Sequence, residues 1–250
     1  MHLTFSIPSE TPDAYLEKFR GMGGIVEEFI TGHEQASPSA QYRISPSGEV
    51  LLVSSHDQIM GGPSGQVYMG CRFPADDGYR VDIQQAGHRI GQTLAAHGAV
   101  SRFGVDFLVH RQTSHQPWRV TALEINLRMV GTSHPFLALR FLTGGELDPT
   151  TGLFHSLSGR AEYYVATDNL QSEAFRGLLP EDLIDILTAT QLHYHHRTEC
   201  GVLFHLMGAV SQYGKLGMTA IANSHAEAQE LYGQALRTLD AETSYGKPRV

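Results

Sequence analysis

One stretch constrains this chain more than any other: the apolar run over residues 118–128, which ends Leu123-Glu124-Ile125-Asn126-Leu127-Arg128 and breaks at Gly131. If the run is a strand, its side chains alternate, so Glu124, Asn126 and Arg128 share one face and Leu123, Ile125 and Leu127 the other. A carboxylate on so apolar a strand is costly to bury, so it needs solvent or a cation opposite it. The run over residues 103–110 has the same character and contains Asp106. Pairing the two as a hairpin centred near His115 sets Asp106 across from Glu124. Two like charges at roughly 5 Å repel in a bare antiparallel pair. Two readings remain open here. One is a solvated hairpin face. The other is a site for a hard divalent cation such as Mg²⁺, which takes oxygen ligands and suits Asp106, Glu124 and the amide oxygen of Asn126.

Composition excludes several classes. A hydrophobic fraction of 41% and a charged fraction of 18% over 250 residues are those of a soluble globular protein with a large core. The formal charge of −8 argues against a general nucleic-acid surface. Cys71 and Cys200 are too few to define a disulfide framework and read as reduced. The N-terminus lacks the basic and apolar regions of a signal peptide, and no segment has the length of a membrane span. These features predict a cytoplasmic protein.

Along the chain, Thr11-Pro12 opens a short helix that Gly23-Gly24 ends. Residues 24–30 read as a strand, 31–34 as a turn and the next ten as a loop, before strands at 41–44 and 50–54 around the turn Ser45-Pro46-Ser47-Gly48. The glycine-rich segment 59–65 lacks the Lys-Ser/Thr ending of a P-loop and reads as a mobile loop. Tyr79, Ile83, Ala86, Ile90 and Leu94 recur at helical spacing, with Gly98 as the cap. Ser133 is the expected N-cap of a helix running to Gly144-Gly145, whose free amides favour an anion near the end of the Glu124 strand. Strands follow near 163–167, 202–206 and 218–221, with helices from Pro180 and along Ala228, Leu231, Ala235 and Leu239; residues from Ser244 onward read as frayed.

Taken in order, Val26-Glu27-Glu28-Phe29-Ile30-Thr31-Gly32-His33-Glu34, Gly104-Val105-Asp106-Phe107, and Glu124-Ile125-Asn126-Leu127-Arg128 followed by Gly131-Thr132-Ser133-His134-Pro135-Phe136 resemble the second half of an ATP-grasp ligase, and most of all the pheganomycin-type peptide ligases. The tail resembles theirs at Tyr163-Tyr164-Val165-Ala166-Thr167-Asp168-Asn169 and over residues 201–217. The resemblance implies an α+β fold: an ATP-grasp-like C-terminal lobe, built as an antiparallel sheet with flanking helices, plus a smaller α/β C-terminal extension, the N-terminal ATP-grasp lobe being truncated. The implied divisions are 1–34 (remnant of the N-terminal lobe and hinge), 35–152 (C-terminal lobe) and 153–250 (extension packed on the lobe).

The resemblance also implies roles. Glu28 and Ile30 would meet the adenine edge by backbone, with Glu27 in the same hinge strand and Phe29 near the adenine face; Glu34 would hold the ribose hydroxyls, as an acceptor-only group can. Asp106, Glu124 and Asn126 match the magnesium ligands that grip ATP phosphates. Arg128 matches the arginine that neutralises the transferring group, its planar fork suited to phosphate or carboxylate. Gly131, Thr132 and His134 fall to the substrate. The implied reaction joins a small-molecule or peptide carboxylate to an amine through an acyl phosphate, with ATP and Mg²⁺ and no covalent enzyme nucleophile. In the family, lysines and a glycine-rich loop precede the hinge; here Lys18 is the one lysine before it and falls in the first helix, with Lys215 and Lys247 far downstream on surface or loop. The chain would then be a portion of a longer ligase, or a partner chain or a second copy would complete the site; the alternative is a non-catalytic nucleotide-binding or interaction module that retains the fold. His193, His195 and His196, with His205, lack cysteine partners for a closed zinc set and read as structural or surface residues. His56-Asp57 reads as loop, and neither cysteine has a neighbouring base.

Overall fold

The computed structural model describes residue 5 and residues 9–62 and 65–245. Pro63, Ser64, Lys247, the tail beyond Tyr245 and most of the first eight residues lie outside the described residues. The first element is helix α1 (Pro12–Met22), capped by the Thr11 hydroxyl, which accepts from the Ala14 amide at 3.3 Å, and stopped at Gly23 with φ +72°. None of its residues is buried.

The hydrophobic alternation then builds one sheet. Its strands are β1 (Glu34–Ala36), β2 (Pro38–Ile44), β3 (Val50–Gly61), β4 (Val67–Phe73), β5 (Ser101–Arg111) and β6 (Arg119–Asn126), and later β9 (Tyr163–Gln171), β10 (Gly201–His205) and β11 (Lys215–Ala222). A separate two-stranded ribbon joins β7 (Glu146–Leu147) to β8 (Phe154–His155). The order is β6-β5-β2-β3-β4-β9-β11-β10, every pairing antiparallel. Strands β1 and β2 run along the same edge of β5 in one register, since Ala36 faces Val109 and Ser39 faces Asp106. The sheet is continuous across residues 152 and 153, because β9 pairs directly with β4; the C-terminal part extends the sheet as well as covering it.

Helix α2 (Arg80–Ala96) lies close on this sheet because glycines face it. A Cβ on Gly87 would stand 2.5 Å from the Tyr42 ring, and one on Gly91 2.6 Å from Val50 and 2.8 Å from Phe103. Ile83 and Tyr79 then pack with Ala40, Tyr42, Phe103, Val105 and Phe107. Helix α3 (Ser133–Thr143) contributes Phe136 and Leu139 to a second cluster with Phe73, Tyr164 and Ile221. Helices α4 (Pro180–Ala189), α5 (Val210–Tyr213) and α6 (His225–Tyr245) cover β9 to β11 through Leu183, Val210, Leu216, Ala235 and Leu239.

Six expectations about local structure need correction. Residues 24–30 form no strand: Ile25, Val26 and Phe29 are 79%, 90% and 74% exposed, and among the described residues no strand pairs with them, so alternation had no partner to act on. The loop expected after Glu34 is instead β1 and the start of β2, because Ser39 and Ala40 are small enough to be buried between β3 and β5. The glycine-rich segment begins as strand, β3 continuing through Ile59 and Met60 to Gly61. Ser133 is the first helical residue rather than the cap; Thr132 holds the cap position, and the Ser133 hydroxyl accepts from the Val130 amide at 3.3 Å. Lys215 begins β11 and Ser244 still belongs to α6.

Candidate active site

The hairpin of β5 and β6 sets Asp106 opposite Glu124 and Gly104 opposite Asn126, as the alternation required. Neighbouring strands extend the same polar face: Ser39 on β2 stands beside Asp106, and Gln41 lies over Gly104, where a Cβ would meet its side-chain oxygen at 2.6 Å. The Gln58 amide of β3 donates to Asp106 Oδ1 at 2.9 Å and the Asn126 amide to Oδ2 at 3.1 Å. Tyr68 on β4, Asp168 on β9, Arg128 and the turn Val130-Gly131-Thr132 close a cavity of about 270 Å³ around these groups. The residues before α3 thus face the end of the Glu124 strand.

Its electrostatics are those of an unneutralised acid pair. The Asp106 carboxyl is pushed up to about 6, first by burial and then by Glu124, while Gln58, Asn126 and Arg128 pull the other way. Thr132 is 4% exposed, and its hydroxyl has no hydrogen-bond partner among the described residues. Such a buried polar atom costs free energy unless something meets it. Arg128 is exposed, and among the described residues it donates only to the Met129 carbonyl, at 3.2 Å.

Other expected residues lie elsewhere. Glu27, Glu28, Phe29 and Ile30 sit in the irregular segment and do not line this cavity. Glu34 is on β1, held by Arg111 and by the Ser114 hydroxyl, which lower its pKa, Ser114 most. His134 follows Thr132 and Ser133 in α3, its ring 4.4 Å from that of His205 between centroids. His193, His195 and His196 lie exposed in the connection from α4 to β10. His56 and Asp57 are buried strand residues: His56 meets the Tyr164 hydroxyl at 2.5 Å, and Asp57 accepts from Tyr79 at 2.7 Å. Cys71 is buried and its thiol pushed up to about 12, by burial above all.

Sequence reasoning missed Gln58, Tyr68 and Asp168. A signal existed for the first, in the polar run Ser54-Ser55-His56-Asp57-Gln58 inside an otherwise apolar strand. Asp168 ends an apolar run just as Asn126 does, but nothing local says which strands become neighbours.

Comparison with known proteins bears on the family and the fold. The family model described as "IQCH-like, ATP-grasp" matches residues 9–150, and "PGM1 C-terminal domain" matches residues 182–234. L-propargylglycine–L-glutamate ligase of Streptantibioticus cattleyicolor is 38% identical over 217 residues, covering 87% of this chain and 43% of that protein, so the chain spans less than half of that relative's length. The biotin carboxylase domain of Hydrogenobacter thermophilus 2-oxoglutarate carboxylase, solved with MgADP, superposes with TM-score 0.57 at 14% identity, over 90% of this chain and 50% of that one. Biotin carboxylase of Campylobacter jejuni, solved as a beta-gamma-ATP complex, gives 0.55 at 15% identity, over 93% and 54%. At such identities these structures speak for the fold alone. With the sheet order, the carboxylate hairpin and the match over residues 9–150 together, the chain belongs to the IQCH-like ATP-grasp family.

Proposed function

We propose that this chain provides the metal- and phosphate-holding lobe of an ATP- and Mg²⁺-dependent carboxylate–amine ligase of peptide-ligase type. The observation that carries the reading is the in-register pair Asp106 and Glu124, with Asn126 beside them, at the floor of one cavity. Two carboxylates and an amide oxygen are the donors a hard divalent cation takes. The raised Asp106 pKa supports the fit, since a cation between the acids would relieve the repulsion that raises it. Asp106, Glu124 and Asn126 would hold Mg²⁺; bound with ATP, it supplies charge neutralisation at the phosphoryl oxygens.

The chain's own groups do the rest. Arg128, exposed and with one backbone bond to give up, neutralises the transferring phosphoryl group or orients the substrate carboxylate. The amides of Gly131 and Thr132 and the unpartnered Thr132 hydroxyl line the same cavity and suit an acyl oxygen that gains charge as the amine adds to the acyl carbon. The substrate carboxylate attacks the γ-phosphorus as the bridging oxygen leaves with ADP, giving an acyl phosphate; the neutral amine nitrogen then bonds to the acyl carbon and gives up a proton to solvent as the carbon–oxygen bond to phosphate breaks. No enzyme nucleophile is needed, and burial pushes both cysteine thiols up, away from the thiolate. The streptomycete relative's name gives an amino acid carboxylate and an amino acid amine, the class expected here.

The exposed segment with Ile25, Val26 and Phe29, and the end of β6 with Leu123 and Ile125, followed by Leu127, 47%, 46% and 64% exposed, support a partner for this lobe. The same surfaces favour the second reading, an interaction module. No helix among the described residues is long and apolar enough to cross a membrane, and the net charge of −8 disfavours nucleic acid; a cytoplasmic setting, where ATP and amino acids are at hand, goes with the ligase function. Equilibrium dialysis of ATP against the chain, with Mg²⁺ or with a chelator, tests the function. Retention only with Mg²⁺ is expected; equal retention without it refutes the metal site.

A further inference from the structure

Further along the same sheet face lies a second cavity, of about 310 Å³, whose charge is opposite to that of the first. Alternation from Ser39 and Gln41 carries the face to Arg43 on β2, and alternation from Asp106 and Gly104 carries it to Arg102 on β5; the register sets these two arginines directly opposite each other. Arg140, in the last turn of α3, lines the same cavity. Like charges facing each other across an antiparallel pair are destabilising unless something neutralises them. Arg80, Arg111, Arg160, Arg176 and Arg237 each have an ion-pair partner, whereas Arg43, Arg102 and Arg140 have none among the described residues. Three arginines thus stand against one lining acid, Glu146, on a chain whose net charge is −8.

The two cavities are neighbours. Gln41 lines the first and Arg43, two residues on along the same strand face, lines the second, a step of about 7 Å. On the helix side, Thr132 just before α3 lines the first, and Phe136 and Arg140 within α3 line the second. Beside the arginines the lining is apolar, with Val53 of β3, Phe136 of α3 and Leu147 of β7.

Guanidinium forks take carboxylate or phosphate oxygens. The apolar lining selects between these: an organic anion can lay a hydrocarbon group on Val53, Phe136 and Leu147, whereas inorganic phosphate leaves them in water. The ligase reading supplies such an anion. Joining an amino acid or peptide through its amine leaves that substrate's own carboxylate unreacted and charged. Arg128 is the one basic side chain among the described residues that line the first cavity, and the phosphoryl group or the reacting carboxylate takes it. We propose that Arg43, Arg102 and Arg140 hold the unreacted carboxylate of the amine substrate, with an apolar side chain of that substrate against Val53, Phe136 and Leu147. At about 3.5 Å per extended residue, a dipeptide matches the step between the cavities. The site rests on the ligase reading for the fate of the amine, but its hold on a carboxylate can be measured without catalysis.

The test titrates the full chain by calorimetry with glycyl-leucine, with glycyl-leucinamide, which lacks the carboxylate, and with inorganic phosphate, each in the presence and absence of Mg²⁺-ATP. Glycyl-leucine is expected to bind, and the other two to bind at least about tenfold more weakly, since a hydrogen-bonded charge is lost with the carboxylate and the apolar contact with phosphate. Arg43 and Arg102 lie outside the cavity assigned to Mg²⁺-ATP, so Arg43→Gln and Arg102→Gln are expected to retain its binding while weakening glycyl-leucine about tenfold. Their urea midpoints are expected no lower than the native one, because each removes one of two facing like charges. Equal binding of the dipeptide and its amide, phosphate that binds as tightly and displaces the dipeptide, undiminished binding by both variants, or no binding of glycyl-leucine under either condition overturns the proposal. Glycyl-leucine binding by a chain that takes no Mg²⁺-ATP keeps the carboxylate site and removes the ligase reading; Mg²⁺-ATP binding without glycyl-leucine removes the carboxylate site alone.

Discussion

Replacing Glu124 by glutamine removes the charge that faces Asp106 and leaves the hairpin intact, which isolates the interaction at the centre of the site. The pair stand opposite in register, at roughly 5 Å. Two unit charges at that separation repel by about 0.8 kcal/mol in water and about 3 kcal/mol at an effective dielectric of about 20. Glu124 is solvent-exposed, so the lower end applies, about 1 kcal/mol or roughly 0.7 of a pKa unit. The Asp106 pKa, about 6 in the native protein, is therefore expected near 5 in Glu124→Gln, still above 3.8 because burial is the larger cause. The stability consequence has a definite sign. Asp106 holds its proton more tightly folded than unfolded, so between pH 3.8 and about 6 the folded state binds more protons, and stability falls as pH rises through that window. Glu124→Gln reduces the fall, leaving the protein about 1 kcal/mol more stable at pH 7.5 with little change at pH 3.5. Carbon-detected NMR of the Asp106 carboxyl and urea unfolding at the two pH values read both effects. An Asp106 titration that does not move refutes the facing geometry.

Other consequences can be checked directly. Glu162 is 1% exposed, with one carboxyl oxygen unpartnered, and is pushed up to about 8 by burial and then by Glu199, so stability is expected to decline as pH rises from 4.5 towards 8; Glu162→Gln flattens that decline by on the order of 2 kcal/mol in unfolding experiments. Gly87→Ala drives a methyl to 2.5 Å from Tyr42 and threatens the 2.6 Å bond from its hydroxyl to the Gln84 carbonyl, costing about 2 kcal/mol by urea titration; an unchanged midpoint contradicts the packing of α2 on the sheet. Val26→Ser with Phe29→Ser changes stability by less than about 0.5 kcal/mol, since both side chains are exposed, but lowers self-association in light scattering if these residues cover a docking face; equal association by both proteins removes that role.

The β5–β6 hairpin was legible because its information is local: an alternating run, a polar turn and an acid at each matching position fix the register without knowledge of the rest. The amphipathic stripe from Tyr79 to Leu94 was legible for the same reason, and so were the Thr11-Pro12 start and Gly144 stop of their helices. What failed depended on neighbours. Residues 24–30 have a strand's composition, but a strand exists only when another pairs with it. Ser39 and Ala40 look like loop and are buried strand, because small residues are tolerated where strands on both sides crowd the backbone. Asp168 reaches the cavity of Asp106 and Glu124 only through the sheet order, β9 pairing with β4, which alternation within a strand does not encode.

Calorimetry of Mg²⁺-ATP with the native chain and with Glu124→Ala tests the central claim most directly. The account predicts saturable binding by the native protein and at least tenfold weaker binding by the variant, whose fold is unchanged, since a lost charged ligand is worth about 1.5–3 kcal/mol. Equal affinity in the two, or no binding by either, contradicts it.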